Sequence, residues 1–145
     1  MLFRSYELAL DWTEKREQFG RPINEFQGVQ WRLADMSIRI AAAQALIYKA
    51  AESGKGGFPD KIMAAQAKIY TSENAIQVVN EALQLFGARG YSRNLPLERM
   101  ARDVRMFTIG GGTAEVLRNV VASGLLGKKL PQTRDGYLPK SQAAE

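Results

Sequence analysis

Apolar residues recur at every third or fourth position over two long stretches of the chain, and this spacing restricts the possible fold more than any other feature. Val29, Leu33, Met36, Ile40, Ala43, Ile47 and Ala50 fall on one side of a helix of about seven turns. Ile62, Ala65, Ile69, Ile76, Val79, Leu83 and Phe86 repeat the pattern after a break rich in Gly, Ser and Pro at residues 53–59. A strand would instead alternate apolar with polar residues, and no strand pattern is read anywhere in the chain. The expected fold is all-α: an up-down bundle of four main helices joined by short turns.

Local signals set the expected boundaries. Tyr6, Leu8, Leu10 and Trp12 stand among charges from Leu2 to about Arg16, so a first helix is under way at Met1 with no capping residue before it. That abrupt start suggests a natural chain, or a partner, continuing upstream. Phe19, Gly20, Arg21 and Pro22 read as a turn, because Pro disfavours helix at the residue before it. The second helix opens near Phe26, and Asp60 is placed to cap the third, which Gly87 stops. A short helix with Pro96 in its first turn runs toward Phe107. The run Gly110, Gly111, Gly112 leads into the last helix, capped by Thr113 or the glycine before it and carrying Val116, Leu117, Val120, Val121 and Leu125. One domain over residues 1–128 is expected, followed by an extended or disordered tail at 129–145.

Composition narrows the chemistry. The 145 residues include neither cysteine nor histidine, which removes disulfides, thiolate metal sites and the commonest general base. Acid-base work would fall to Asp, Glu, Lys, Tyr or a cofactor. The formal charge of +5 admits an anionic partner. Lys and Arg are interspersed with acids, however, as in residues 11–17, which favours solvated helix faces over a nucleic-acid surface. No apolar run is long enough to cross a bilayer and no secretory signal pattern is read, so a cytoplasmic protein bound to neither nucleic acid nor membrane is expected.

Three turns spend residues on something other than packing: residues 16–20, residues 84–91 and residues 110–115. Glycines at helix ends allow close backbone approach, and a glycine-rich loop entering a helix aims free N–H groups at whatever lies in front, which suits an anion. Each turn also has a plain structural reading. Gly87 and Gly90 can be a helix end and a turn, Gly110 to Gly112 a connector, and Arg16 a surface cation. Neither the dinucleotide fingerprint nor the phosphate-loop motif is present.

Taken in order, these turns resemble the C-terminal domain of acyl-CoA dehydrogenases. Arg16, Phe19, Gly20 and the following Gln27 match that family's Arg-x-x-Phe-Gly stretch and later glutamine. Gln84, Gly87, Gly90 and Tyr91 match Gln-x-x-Gly-Gly-x-Gly-Tyr, with Ala88 in place of the second glycine. Pro96, Arg102 and Asp103 keep the register of Pro-x-x-x-x-x-Arg-Asp, and Gly112 and Thr113 remain from the closing Tyr-Glu-Gly-Thr. The resemblance runs to about Gly127.

That resemblance implies a four-helix bundle at the core of a homotetramer, FAD as cofactor, an acyl-CoA substrate in the full-length enzyme and a place in fatty acid metabolism. Carried over, Arg16 would approach the FAD pyrophosphate with its guanidinium fork, and Phe19 would pack near the cofactor. Gln27, Gln84, Gly87 and Ala88 would meet the adenosine side of an FAD bound mainly by the adjacent subunit. Thr113 and Glu115 would belong to the flavin region at the last helix, with Gly112 toward substrate. Arg16, Gln84 and Thr113 are thus expected to border one nucleotide-shaped groove in the assembled bundle.

The family's chemistry is α,β-dehydrogenation, in which a carboxylate takes the α-proton while hydride leaves for the flavin. Gly110 and Gly111 stand where the Tyr and Glu of the motif would be, so no catalytic residue is assigned. The alternative glutamate of some branches, matched by distance from Arg16, would precede Met1. Glu98, Asp103 and Glu115 lie near the motifs with nothing aiming them at substrate, and Asp103 is expected to hold Arg102 or Arg105. The isolated chain is therefore expected to be inactive and to bind little FAD. A non-catalytic helical module for oligomerisation or interaction is the alternative, and nucleic-acid binding ranks third.

Overall fold

The computed structural model describes residues 1–131. Along the chain come α1 (Leu2–Lys15), strands β1 (Glu17–Gln18) and β2 (Arg21–Pro22), and a 3-10 turn (Ile23–Glu25). Then follow α2 (Gln27–Glu52), α3 (Lys61–Phe86), α4 (Ala88–Tyr91), α5 (Leu97–Arg105), a second 3-10 turn (Met106–Thr108) and α6 (Ala114–Leu125). The mostly helical architecture read from the spacing is therefore present. The expected tail falls largely on residues 132–145, outside the described residues.

α3 is the hub, packing against α1, α2, α5 and α6. A helix with neighbours on several sides needs more than one buried face, and the residues of α3 show it. Ala65, Ala67, Ser72, Ala75, Val78, Val79, Ala82 and Phe86 are buried. The larger Ile62, Ile69, Ile76 and Leu83 of the expected stripe are only half-buried. Small side chains let the helices approach closely, and the bulkier ones fill the flanks.

α1 departs further from expectation. Its buried seam is Ser5, Ala9 and Thr13, one residue per turn, whereas Leu10 is 41% exposed. The two buried hydroxyls cost little, since Ser5 Oγ donates to the Leu2 carbonyl (3.0 Å) and Thr13 Oγ1 to that of Leu10 (3.0 Å). Met36, Leu97, Val78, Val79 and Val104 are the largest fully buried apolar side chains. Leu97 and Val104 belong to α5, so this short helix inserts into the bundle rather than merely connecting it.

The caps follow the sequence. Asp60 accepts hydrogen bonds from the amides of Ile62 (3.0 Å) and Met63 (2.9 Å), and the Thr113 hydroxyl accepts from Val116 N (3.2 Å). The expectation of no strand is corrected by a small antiparallel hairpin pairing Glu17 with Pro22 and Gln18 with Arg21. Phe19 (φ 55°) and Gly20 (φ 76°) form its two-residue loop with both central residues left-handed, the geometry that matches strand twist. Two-residue strands are too short to show any alternation, so periodicity could not have revealed them.

Candidate functional site

The three glycine turns settle at two separate corners of the bundle. The first lies where the hairpin meets the C-terminal end of α3. Trp12 fastens the two together: its ring stacks on Phe86 with centroids 4.7 Å apart, and its Nε1 donates to the Leu85 carbonyl at 3.1 Å. The hairpin tip is thereby held beside Gln84. A cavity of about 340 Å³ opens between them, lined by Gln18, Phe19, Phe26, Arg32, Gln84 and Leu85 among others.

Phe19 is the unusual residue here. A phenylalanine with φ 55° is strained, and this one is also 93% exposed. A strained aromatic held out to solvent is an expense without structural return inside one chain, apart from an edge contact to Phe26 at 6.2 Å. Around it the corner is cationic. Arg21 lies 4.3 Å above the Phe26 ring, Arg16 is exposed at the end of α1, and Arg32 pairs with Glu81 at 2.6 Å. Gln27, the first residue of α2, is exposed at the same end.

The glycine requirements at this corner are specific. Gly87 closes α3 with φ 59° and ψ −138°, a conformation open essentially to glycine alone. A Cβ on Gly90 would stand 2.5 Å from the Leu83 carbonyl oxygen. Ala88, by contrast, begins the helical turn α4, where no left-handed angle is needed, and this explains why a methyl group is tolerated where the family pattern has glycine.

The second corner lies on the N-terminal half of α3. Gly111 (φ 67°) and Gly112 (φ 87°) turn the chain into α6, and Lys68 Nζ donates to the Gly112 carbonyl at 2.6 Å. Glu115, in the first turn of α6, has its carboxyl held below the ordinary value of 4.5. Its own backbone N–H is the main cause and the Thr113 hydroxyl the second; desolvation opposes them, and Arg118 and Arg105 add weaker attraction. Beside this turn runs an apolar groove of about 640 Å³ bordered by Met1, Leu2, Ala67, Lys68, Val104 and Gly110 among others. The Thr71 hydroxyl, on the same groove, is buried without a hydrogen-bond partner among the described residues.

Sixteen residues of α3 separate Lys68 from Gln84, about 24 Å of helix rise. Arg16, Phe19, Gln27, Gln84, Gly87 and Ala88 therefore share one end of the molecule, while Gly111, Gly112, Thr113 and Glu115 lie beside the middle of α3, where Lys68 and Glu73 reach Gly112 and Arg118. Among the described residues of a single chain they border no common groove. The expected pairing of Asp103 is corrected: Arg102 bonds Glu98 at 3.2 Å, one helical turn back, and Arg105 bonds the Thr108 hydroxyl. The i, i+4 geometry favours Glu98, because neighbouring residues on a helix do not face each other.

Residues 1–126 match the family described as acyl-CoA dehydrogenase, C-terminal domain. The chain belongs to this family. It is 62% identical over 130 residues to a 3-sulfinopropanoyl-CoA desulfinase of Paraburkholderia xenovorans, covering 90% of this chain and 33% of that protein. Among solved structures it superposes on butyryl-CoA dehydrogenase from Megasphaera elsdenii with a TM-score of 0.83 and 39% identity, over 86% of this chain and 33% of that one. The FAD complex of PigA is similar at TM-score 0.81 and 30% identity, over 86% of this chain and 32% of that one. The chain thus spans about a third of the length of the curated relatives it matches. Among the described residues no helix is long and apolar enough to cross a membrane.

Proposed function

We propose that this chain is the C-terminal, FAD-contacting and assembly domain of a flavoenzyme that acts on an acyl-CoA thioester without a proton-abstracting carboxylate at position 111. Gly111 is the observation that carries the proposal. It is exposed, left-handed and lies in the turn where the family motif holds its glutamate, and glycine cannot accept a proton. Identity of 54% to 62% with four 3-sulfinopropanoyl-CoA desulfinases supports a specific reaction, removal of a sulfinate group from the acyl chain. Replacing the carbon–sulfur bond by a carbon–hydrogen bond, with water supplying the oxygen of the sulfite released, is redox-neutral overall. It requires no net loss of the α-proton.

The two corners suit two different cofactors in an assembly. Arg16, Phe19, Gln27, Gln84, Gly87 and Ala88 would serve the pyrophosphate and adenosine portion of one FAD. Thr113 and Glu115 would serve the flavin region of another, with Gly112 toward substrate. A strained, exposed Phe19 and an exposed Arg16 with no ion pair among the described residues fit a surface completed by a ligand or a neighbouring subunit. Assembly into a homo-oligomer is supported by Trp31 (63% exposed) and Ile38 (64%), which lie on one side of α2, and by Val116 and Leu125 on α6. Alone, the chain would hold little FAD.

Classical α,β-dehydrogenation, with a base supplied by the rest of the protein, is the second reading, favoured by the likeness to butyryl-CoA dehydrogenase. Co-expression with the upstream segment, followed by a panel of acyl-CoA thioesters, separates the two. Sulfite release from 3-sulfinopropanoyl-CoA with no bleaching of the flavin by butyryl-CoA is expected. Bleaching by butyryl-CoA without sulfite release would overturn the first reading in favour of the second.

A further inference from the structure

The Gly110–Gly112 turn has no side chain with which to fix itself, since glycine offers neither packing nor a rotamer, and two of its three residues are left-handed. Among the described residues, one side-chain hydrogen bond reaches it from across the bundle. Lys68, in the N-terminal half of α3, donates from Nζ to the Gly112 carbonyl at 2.6 Å, closing a contact between residues 44 positions apart. The ammonium forms no ion pair among the described residues, so its charge is directed at a neutral carbonyl and strengthens that bond. Gly112 immediately precedes Thr113, whose hydroxyl caps α6, so whatever fixes the Gly112 carbonyl also fixes the start of that helix. At the other end of α6, Gly124 lies against Ile62, where a Cβ would collide with the isoleucine side chain. α6 buries only Ala114 fully; it is also tied to α3 by the Arg118–Glu73 ion pair (2.7 Å), one turn beyond the entry that Lys68 holds.

From these contacts we infer that Lys68 is a positioning residue: its hydrogen bond to the Gly112 carbonyl sets the Gly110–Gly112 turn and the entry of α6. What the turn serves, placement of Gly112, Thr113 and Glu115 toward flavin and substrate, rests on the function proposed above. The anchoring itself rests only on this chain.

Two measurements on Lys68→Met and Lys68→Arg test it. Met keeps the length of the stem and removes the donor, whereas Arg retains a cation and donor. In the chain itself, amide exchange at residues 110–117 is expected to quicken about tenfold in Lys68→Met and to return toward wild type in Lys68→Arg, with α3 unchanged. Unaltered exchange at the turn overturns the anchoring. In the full-length flavoprotein, Lys68→Met is expected to lower kcat about tenfold with flavin content and melting temperature retained, and Lys68→Arg to recover part of it. Equal loss of flavin and melting temperature in both variants would make Lys68 a general structural prop and overturn the positioning role. A wild-type full-length protein that holds no flavin would refute the proposed function, while the exchange result still decides the anchor.

Discussion

The two corners of the bundle are built by opposite means. At the C-terminal end of α3, aromatic side chains do the holding: Trp12 stacks on Phe86, bonds the Leu85 carbonyl and has the Arg89 guanidinium 5.2 Å from its ring centroid. At the other corner, backbone and polar contacts do it: two left-handed glycines, one lysine bond to a carbonyl, one threonine cap and the Arg118–Glu73 ion pair. The first corner is thus continuous with the hydrophobic core, and damage there should spread. The second is attached at a few points, and damage there should stay local.

Trp12→Ala is the severest test of that contrast. It removes the stack on Phe86 and the long-range hydrogen bond together, and should cost about 3 kcal/mol of global stability by urea unfolding. Next in size comes Gly90→Ala, whose Cβ would meet the Leu83 carbonyl rather than a flexible side chain. A loss of about 1–3 kcal/mol is expected in the same unfolding experiment. At the other corner Thr113→Ala removes only the cap on α6 and should cost about 1 kcal/mol, with faster amide exchange confined to the first turn of that helix. If Thr113→Ala destabilised the whole molecule as much as Trp12→Ala, the contrast between the corners would be wrong.

The smallest effect concerns pH. Glu115 has a folded-state pKa below its ordinary value, so its ionised form favours the folded state. That contribution is present above about 4.5 and is lost as pH falls through the lower, folded value. Glu115→Gln should therefore lower the melting temperature slightly at pH 6 and flatten the acid side, the variant and the wild type converging toward pH 3. A steeper acid limb in Glu115→Gln would reverse the assignment.

Much of this was legible in the residues. The spacing of Val29 through Ala50 and of Ile62 through Phe86 marks the two long helices, and Asp60 and Thr113 cap as their chemistry requires. The hairpin was not legible, because a pair of two-residue strands carries no period, and the Phe-Gly dipeptide at its tip was the one signal available. Nor was the α1 seam, where Ser5, Ala9 and Thr13 are buried in preference to Leu10. Hydrophobicity ranks side chains by size, while a crowded helix contact selects them by how closely they let two backbones approach.

By itself, the sequence determined the helices, their caps, the family motif and the absence of a carboxylate at position 111, since all of these are local properties of residue type and spacing. Only the tertiary structure decided that Arg16 and Gln84 share one corner while Thr113 lies at another. Distance between corners depends on which part of α3 each turn reaches. That is fixed by long-range packing, through Trp12 on Phe86 at the C-terminal end of α3 and Lys68 on Gly112 further back along it.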